Sequence, residues 1–461
     1  MTQKDAFVLP LPFAYTLIMR RRDLLKGLVA CLPARALLAD SWPQFRGPGA
    51  RGIAGDDRRL PLTWSDSENV LWRIDVPGRG WSSPVVWNDQ IFIQSTVSTA
   101  GEGLQRKGMF GGRQQYYPPP DEHRWMLDSF DISSGKTRWA TELFKGVPKV
   151  SRHPKNSFAS ETPVTDGERV YAHFGDVGTY CLDMTGKILW SKEWPLIETR
   201  YGYGTGSSPA LHEGRLYIVN DNEKQSYMLA LDKLTGREIW RVTRDEPTTW
   251  ATPYIWRNER RTEIVTVGTK KVRSYDLNGN LLWEITGMSL LAIPSPFAAD
   301  GLLYVASGYP TDEKRPVYAI RPGASGDITP ADNKPGSEYI AWSLPQGGPY
   351  VPSPIIYGGL YYTLLDSGFL TCHDAKTGKE IYGKQRIDSA SSGFTSSPWA
   401  YNSCIFCLNE DGDTYVIQAG PEFKILGKNS LGDTCLSSPA IASGSLILRT
   451  LTHLYRIGHK V

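Results

Sequence analysis

The residues of this chain that could react with a substrate or hold a metal do not form a catalytic constellation. The seven histidines show no H-E-x-x-H spacing, and no G-x-S-x-G nucleophile motif occurs. Cys404 and Cys407 have the spacing of a metal knuckle, but residues three apart in a strand-like run face opposite sides of a sheet. The segment NEDGD (409–413) resembles a calcium loop, although Asp411-Gly412 also forms a standard hairpin turn. We therefore predict no catalytic residue, no metal site and plain core cysteines.

A second set of polar and aromatic residues could bind a ligand without reacting with it. Two polar segments, SRHPKNSFASE (151–161) and TRYGYGTG (199–206), each precede a strand-like run. Binding residues concentrate in loops at the ends of strands. If the chain has a ligand site, we expect it there, where these residues could cradle a flat or anionic ligand; in the other interpretation, which the sequence favours, they only cap the end of the fold. The candidates are Arg79, Trp81, His153, Lys155, Asn156, Glu161, Arg200 and Trp250.

These candidates are positioned by a repeat that runs through the chain. A motif of Ser/Thr-Pro followed by alternating apolar residues and a turn occurs eight times, and most copies are 41 to 46 residues apart. A period of this length with four short strands is typical of a propeller blade. We therefore predict an all-β fold, an eight-bladed β-propeller of four-stranded antiparallel blades, with the candidates at the mouth of its central channel. The prolines of the eight copies are Pro84, Pro163, Pro209, Pro253, Pro296, Pro354, Pro398 and Pro439.

The second half of the repeat places Asp, Gly and an aromatic residue at nearly fixed offsets, as in ALDKLTGREIW (230–240). Asp can accept backbone N–H bonds across a turn, Gly can take a positive φ, and the aromatic residue can close the outer strand against the neighbouring blade. We predict this structural docking role for the aromatic position. Its tryptophans are Trp72, Trp139, Trp190, Trp240, Trp283 and Trp342.

The last copies of the repeat are incomplete. The fifth copy (317–342) carries an inserted polar loop before Trp342, the seventh (414–429) lacks the Trp, and the eighth ends without an outer strand. NVLWRIDV (69–76) stands alone before the first copy and has the form of that missing strand. Because pairing it into the last blade would remove two open edges, we predict that it closes the ring.

One long irregular segment, residues 95–125, interrupts the first copy. Loops of this length are usually functional or disordered. Its glycines and PPP favour a mobile flap over a blade edge or face, and a ligand or partner role and no such role both stay open.

The N-terminus is typical of an export signal. Residues 1–39 include Arg21-Arg22 ahead of an apolar stretch, which predicts a twin-arginine signal whose true start is Met19 and whose cleavage lies near Ala36 or Ala39. LVAC (28–31) also resembles a lipoprotein box, so lipidation at Cys31 is the alternative to that cleavage. Residues 40–68 follow as an N-terminal segment, and 69–461 form the propeller.

Composition and charge exclude some classes of partner. The formal net charge of +3 over 461 residues gives no electrostatic footprint for nucleic acid. Export predicts a periplasmic or extracellular monomer, attached to a membrane only if it is lipidated. The five cysteines that remain after cleavage do not form a disulfide framework.

The repeat resembles a known family. The pattern A-x-D-x-x-T-G-x-x-x-W is matched by Ala230, Asp232, Thr235, Gly236 and Trp240, and it is similar to the tryptophan-docking repeat of the pyrroloquinoline-quinone (PQQ) type β-propellers. The resemblance covers roughly residues 42–461. The opening WPQFRGP is similar to that of exported PQQ-like repeat proteins often compared with the outer-membrane assembly lipoprotein BamB. This implies a non-catalytic scaffold that binds envelope proteins or a small ligand at the propeller face.

The enzymes of the same superfamily imply a competing hypothesis. The quinoprotein alcohol and glucose dehydrogenases hold PQQ and a calcium ion over the central channel, with a carboxylate base beside the quinone. This chain has no adjacent cysteine pair, no Glu, Asn or Asp that aligns with the calcium and base positions, and no cytochrome domain. A quinoprotein oxidoreductase with PQQ and calcium is therefore the alternative hypothesis. A carbohydrate-binding module, suggested by the aromatic-rich loops, is the third.

Overall fold

The computed structural model describes residues 41–101, 103, 105–108, 114–331 and 336–460, and these form strands with two short 3-10 turns, Pro48–Ala50 and Arg200–Gly202. The export signal, its start at Met19 and Cys31 lie outside the described residues. The strands form eight separate sheets, which are the blades of the predicted propeller. Strand β1 (Val70–Asp75) comes first and lies apart from the strands that follow it in the chain.

The first four blades have these strands. Blade 1 contains β2 (Val85–Trp87), β3 (Gln90–Ser98), β4 (His123–Asp131) and β5 (Thr137–Gly146). Blade 2 contains β6 (Val164–Thr165), β7 (Arg169–Phe174), β8 (Gly178–Asp183) and β9 (Ile188–Glu193). Blade 3 contains β10 (Ala210–His212), β11 (Arg215–Asn220), β12 (Ser226–Asp232) and β13 (Glu238–Arg244). Blade 4 contains β14 (Tyr254–Arg257), β15 (Thr262–Val267), β16 (Lys271–Tyr275) and β17 (Leu281–Thr286).

The last four blades follow the same order from the channel outwards. Blade 5 contains β18 (Phe297–Ala299), β19 (Leu302–Ala306), β20 (Val317–Ile320) and β22 (Ile340–Leu344). Blade 6 contains β23 (Ile355–Tyr357), β24 (Leu360–Leu365), β25 (Phe369–Asp374) and β26 (Glu380–Arg386). Blade 7 contains β27 (Trp399–Tyr401), β28 (Cys404–Leu408), β29 (Asp413–Gln418) and β30 (Ile425–Ser430). Blade 8 contains β31 (Ala440–Ala442), β32 (Ser445–Arg449) and β33 (His453–Ile457).

The predicted closure of the ring is confirmed. Strand β1 pairs antiparallel with β33, with Trp72 opposite Arg456 and Ile74 opposite Leu454, so blade 8 takes its fourth strand from the start of the chain. Without β1, the outer edge of β33 would present unpaired N–H and C=O groups.

Blade 4 gains a short fifth strand at the outer edge of its four. Strand β21 (Gly326–Asp327) belongs to the polar insertion of the fifth copy, yet it pairs in parallel with β17 of blade 4. Ile328 from the same insertion packs in the core cluster that contains Trp283. The insertion therefore leaves its own blade and covers the outer edge of its neighbour.

The aromatic position of the repeat joins neighbouring blades around the rim. The Nε1–H of Trp190 donates to the carbonyl of Lys233 at 3.0 Å, in the turn of the next blade. Its ring covers Gly236, whose φ is +70°, and a Cβ at that glycine would lie 2.6 Å from the indole. The same pairing of indole N–H with a turn carbonyl recurs at Trp72, Trp139, Trp240 and Trp342.

Trp283 departs from this pattern. Its Nε1–H donates at 2.7 Å to Glu263 within its own blade. Because the fifth copy replaces the Asp-Thr-Gly turn with its insertion, no equivalent turn carbonyl stands beside Trp283, and the insertion buries the indole completely.

The five cysteines of the described chain are buried and unpaired, including Cys404 and Cys407 in β28. Burial raises the pKa of the Cys435 thiol to about 12, as expected for core cysteines. Among the described residues, none forms a helix long and apolar enough to cross a membrane.

Candidate functional site

The Ser/Thr-Pro motif forms a ring of hydroxyl groups around the channel. In each copy, the hydroxyl residue directly before the proline lines the central cavity. The hydroxyl oxygen accepts the backbone N–H of the matching residue in the preceding blade, as between Thr162 and Ser208 at 2.9 Å. Seven of these bonds lie between 2.9 and 3.2 Å. The members of this hydroxyl ring are Ser83, Thr162, Ser208, Thr252, Ser295, Ser353, Ser397 and Ser438.

The N-terminal segment closes the channel directly beneath the hydroxyl ring. We call residues 41–54 the floor segment. Trp42 forms an antiparallel bridge to Val86 of blade 1, and Ile53 forms a parallel bridge to Ala400 of blade 7. Between them the segment crosses the ring, and Phe45 lines the bottom of the cavity. The channel is therefore a pocket with a floor.

Arg46 lies in this floor and is 2% exposed. Its Nη2 donates to the carbonyl of Pro354 at 2.6 Å, next to a member of the hydroxyl ring, and its guanidinium lies 5.3 Å from the centroid of the Phe297 ring. Burial lowers the pKa of Arg46 to about 9, which leaves it protonated at neutral pH. Among the described residues, its Nε and Nη1 have no hydrogen-bond partner.

The cavity above the floor has a volume of about 520 Å³. Aromatic residues on several blades surround its mouth. Trp250 donates its Nε1–H to Gly204 at 2.8 Å, and its ring lies 6.5 Å from that of Tyr203. The ring of Tyr350 meets that of Tyr309 edge-on at 5.2 Å on the far side. Trp81 is 8% exposed, and its Nε1–H has no partner among the described residues.

One ion pair spans the mouth. Lys155 Nζ lies 2.5 Å from Glu410 Oε1. Glu410, which is 1% exposed, also accepts the Thr395 hydroxyl at 2.7 Å and the backbone N–H of Gly108 at 2.7 Å. The loop after blade 1 is thereby joined to a turn of blade 7.

The predicted flap lies over this face. In its described part, Lys107 pairs with Asp411 at 2.5 Å, and the backbone N–H of Tyr116 donates to Tyr201 at 3.1 Å. These bonds connect blade 1 with blade 7 and with the loop before blade 3, so the described part of the segment lies over the mouth.

Burial shifts the pKa of two groups that line the cavity. Burial, with the charges of Lys155 and Arg106, lowers the pKa of His153 to about 4, so this ring is neutral at neutral pH. Asp366 accepts the backbone N–H groups of Tyr350 and Val351 at 3.1 and 3.0 Å. Burial nevertheless raises the pKa of Asp366 to about 6.

Five of the eight candidates line the cavity: Trp81, His153, Lys155, Asn156 and Trp250. Asn156 is occupied in joining two loops, since its amide donates to Tyr203 and Thr205.

The other three candidates lie elsewhere. Glu161 is buried behind the wall, where it accepts the Gly175 N–H at 3.1 Å. Arg79 donates to Gly103 beneath the flap. The guanidinium of Arg200 lies 5.4 Å from the centroid of the Tyr201 ring, away from the cavity lining. The position of a charged residue next to the motif does not establish that its side chain lines the cavity, because the direction of the side chain depends on the contacts of its loop.

Sequence reasoning missed the acids, the floor and the hydroxyl ring. Glu410 lies in NEDGD, which forms the predicted turn between β28 and β29. Asp366 lies in the equivalent turn of blade 6, between β24 and β25. An acid within two residues of the end of the second strand, in two successive blades, was a signal for both. The hydroxyl before every proline was a signal for the ring.

The lining does not fit the calcium ion of the quinoprotein enzymes. Calcium takes six to eight oxygen ligands. Asp366 and Glu410 already accept two and three hydrogen bonds from the protein. In the part of the chain that the structure describes, no three His, Cys, Asp or Glu side chains converge as a metal site would require.

Comparison with known proteins agrees with the architecture. The family model described as "Outer membrane protein assembly factor BamB" matches residues 126–286, from the third strand of blade 1 to the end of blade 4. The chain is a PQQ-like β-propeller. No curated protein matches it by sequence at a significant level.

Solved structures extend this likeness around the ring. BamB from Moraxella catarrhalis has a TM-score of 0.52 at 11% identity and aligns over 77% of this PQQ-like propeller and 99% of its own chain. A europium-containing methanol dehydrogenase has a TM-score of 0.57 at 11% identity, over 92% and 90%. The quinohemoprotein alcohol dehydrogenase from Comamonas testosteroni has a TM-score of 0.55 at 11% identity, over 92% and 81%. At this identity the likeness shows the fold and not the function.

Proposed function

We propose that this chain is an exported, non-catalytic binding protein that takes a small ligand into its channel and acts as a scaffold in the cell envelope. The observation that carries the proposal is the floored cavity of about 520 Å³ with an aromatic mouth. Ligand sites are typically concave and mostly apolar, with a few placed polar groups. This cavity has that composition.

The floor segment distinguishes a pocket from a passage. A propeller with an open channel could conduct a solute or admit a partner's chain from both faces. Here the channel is blocked beneath the hydroxyl ring by Phe45 and Arg46. A ligand would therefore enter and leave at the mouth, between Trp250 and the described part of the flap.

Tryptophan fluorescence tests ligand binding directly. Purified protein would be titrated with aromatic acids, monosaccharides, short oligosaccharides and PQQ with calcium. Binding should quench Trp81 and Trp250, and Trp250→Ala should weaken the binding that the quenching reports. Trp190→Phe is the control, because Trp190 lies at the rim. The proposal fails if no compound of any class binds, or if Trp190→Phe weakens binding as much as Trp250→Ala.

The family match supports the scaffold part of the proposal. The matched model is described as an outer-membrane protein assembly factor, and loop faces and strand edges suit propellers to protein binding. A photo-crosslinker at Tyr117, which is 80% exposed on the predicted flap, would capture an envelope protein bound at this face. The same crosslinker at Leu281, 52% exposed at the rim, is the control. Equal capture at both positions would contradict a partner specific to the mouth.

A quinoprotein dehydrogenase is the second candidate. It is favoured by the likeness of the fold to a methanol dehydrogenase over 92% of this chain. The engagement of Asp366 and Glu410 with protein donors opposes it. Stoichiometric PQQ binding together with dye-linked oxidation of an alcohol would establish the enzyme and overturn the non-catalytic proposal.

A further inference from the structure

The closed end of the cavity contains more hydrogen-bond donors than acceptors. A hydroxyl oxygen that accepts a backbone N–H still has its own proton to donate. Seven hydroxyls of the ring accept in this way, and among the described residues none of the eight donates to a protein acceptor. Their protons therefore need acceptors that the described protein does not supply.

Three residues around the cavity, one of them a member of the ring, have donors that lack partners. Ser83 is 2% exposed and lines the cavity, and within the described chain its hydroxyl neither donates nor accepts a hydrogen bond. The Nε1–H of Trp81, two residues earlier, is also unpaired there. Arg46, which lies in the floor and not in the cavity lining, has an unpaired Nε and Nη1. Buried polar groups normally have partners, so each of these needs an explanation.

Charge distinguishes the two ends of the cavity. At the mouth, Lys155 offsets Glu410 at 2.5 Å, and Asp366 adds a further carboxyl group. At the floor, no described carboxylate forms an ion pair with Arg46, and the ring adds only neutral hydroxyls. A buried cation without an acid partner is costly unless an anion compensates it.

We infer that the hydroxyl ring binds an oxyanion, a carboxylate or a phosphate group, at the closed end of the channel, above the buried charge of Arg46 in the floor. The inference rests on the proposed function, because it names the chemistry of the group that the ligand inserts first. Oxyanions offer several acceptor lone pairs in a compact shape, which matches donors that converge from many blades. Hydrogen bonds to an ionised acceptor are also stronger than neutral ones.

The aromatic mouth indicates what the rest of the ligand resembles. Trp250 and Tyr203 lie above the ring, and a flat group attached to the oxyanion would contact them. A carboxylate on an aromatic ring has this form, whereas inorganic phosphate would use the floor alone. Benzoate and inorganic phosphate therefore separate the two sources of an oxyanion.

Isothermal titration calorimetry of the whole protein with each anion, in Tris buffer with chloride as the only other anion, tests the inference. We expect at least one of the two to bind with one-to-one stoichiometry. Ser83→Ala should weaken this binding about 3- to 10-fold, since it removes one donor. Arg46→Met should weaken it at least about tenfold, since it removes the charge.

Ser82→Ala is the matched control. Ser82 is also buried, but its hydroxyl accepts the Gln94 N–H and donates to the Ser83 carbonyl, and it does not line the cavity. Its substitution should leave the dissociation constant unchanged. If Arg46→Met does not fold, Ser83→Ala against Ser82→Ala decides the question.

The outcomes separate the inference from the proposed function. If neither anion binds, or if Ser83→Ala and Arg46→Met both bind as the wild type does, the proposed oxyanion site is wrong. If a neutral compound still quenches Trp250 in that case, the proposed binding function holds and the ligand is not an anion. If no compound binds the cavity at all, both proposals fail.

Discussion

Aspartates at the rim and at the channel mouth of this propeller occupy opposite environments. At the rim, Asp232 accepts the hydroxyl of Thr235 in its turn, and this bond holds the pKa of the carboxyl below its usual value. Asp374 and Thr377 repeat the arrangement in blade 6. At the mouth, burial raises the pKa of Asp366 to about 6. Contacts at the rim therefore stabilise the charged form of aspartate, whereas burial at the mouth disfavours that form.

This contrast separates scaffold from site. Rim contacts recur in several blades and are complete: an indole N–H finds a turn carbonyl, and an Asp finds a Thr hydroxyl. Around the channel, Arg46, Trp81 and Ser83 have unpaired donors within the described chain. Regularity at the rim therefore marks packing, whereas around the channel both the repeated hydroxyls and the unrepeated Arg46 and Trp81 carry unmet interactions.

Removing the closing strand should produce the largest loss. Deletion of residues 69–76 takes β1 from β33 and removes the Trp72 contact with blade 1. We expect the Tm to fall on the order of 10 °C, since several kcal/mol are lost from one cooperative ring. Differential scanning calorimetry measures this, and an unchanged Tm would contradict the closure.

A single rim indole should matter nearly as much. Trp190→Ala removes the ring over Gly236 and the bond to Lys233, and we expect a loss of about 3 kcal/mol in the free energy of unfolding. Leu189→Ala is the control, because Leu189 is 41% exposed and should cost about 0.5 kcal/mol or less. Urea denaturation compares the two, and similar losses would remove the special role of the indole.

The two lysine pairs at the mouth should differ. Lys155→Met leaves Glu410 buried without its cation, which should cost about 1 to 3 kcal/mol. Lys107→Met breaks a more exposed pair with Asp411 and should cost less than about 1 kcal/mol. Equal losses in urea denaturation would show that burial at the mouth does not set the strength of the pair.

The smallest expected effect is the pH dependence that Asp366 gives to the free energy of unfolding. Because the folded state holds the Asp366 proton more tightly than the unfolded state, this group's contribution to stability is present below about pH 4 and is lost as the pH rises through about 6. Rim aspartates act in the opposite direction, since their contribution is lost as the pH falls below the unfolded value. The stability difference between the wild type and Asp366→Asn should therefore change between pH 4 and 6. A constant difference would contradict the raised pKa.

The blades and their closure could be predicted because their signals are local and repeated. Each Ser/Thr-Pro and each Asp-Gly-Trp stretch indicates the same strand and turn, and Trp72 marked the displaced strand. The pairing of the insertion through β21, the position of the floor segment and the contacts of the flap could not be predicted in the same way. Arg46 contacts Pro354, and Lys107 contacts Asp411, through pairings hundreds of residues apart that occur once.

The sequence predicted the location of the candidate site correctly, but only some of the residues that line it. The loops before the innermost strands do line the mouth, which follows from the propeller topology. Arg79 and Arg200 lie outside the cavity lining because their loops turn the side chains elsewhere. Glu410 was missed because its turn also has a complete structural explanation.

The separation of scaffold from site is tested most directly by measuring the Tm and the dissociation constant of benzoate together in Trp190→Ala and Ser83→Ala. We expect Trp190→Ala to lower the Tm and to leave the dissociation constant unchanged. Ser83→Ala should leave the Tm within about 1 °C, since it breaks no protein hydrogen bond, and weaken benzoate binding. If both substitutions change both quantities, or if Ser83→Ala changes only the Tm, the rim and the channel do not have the separate roles described here.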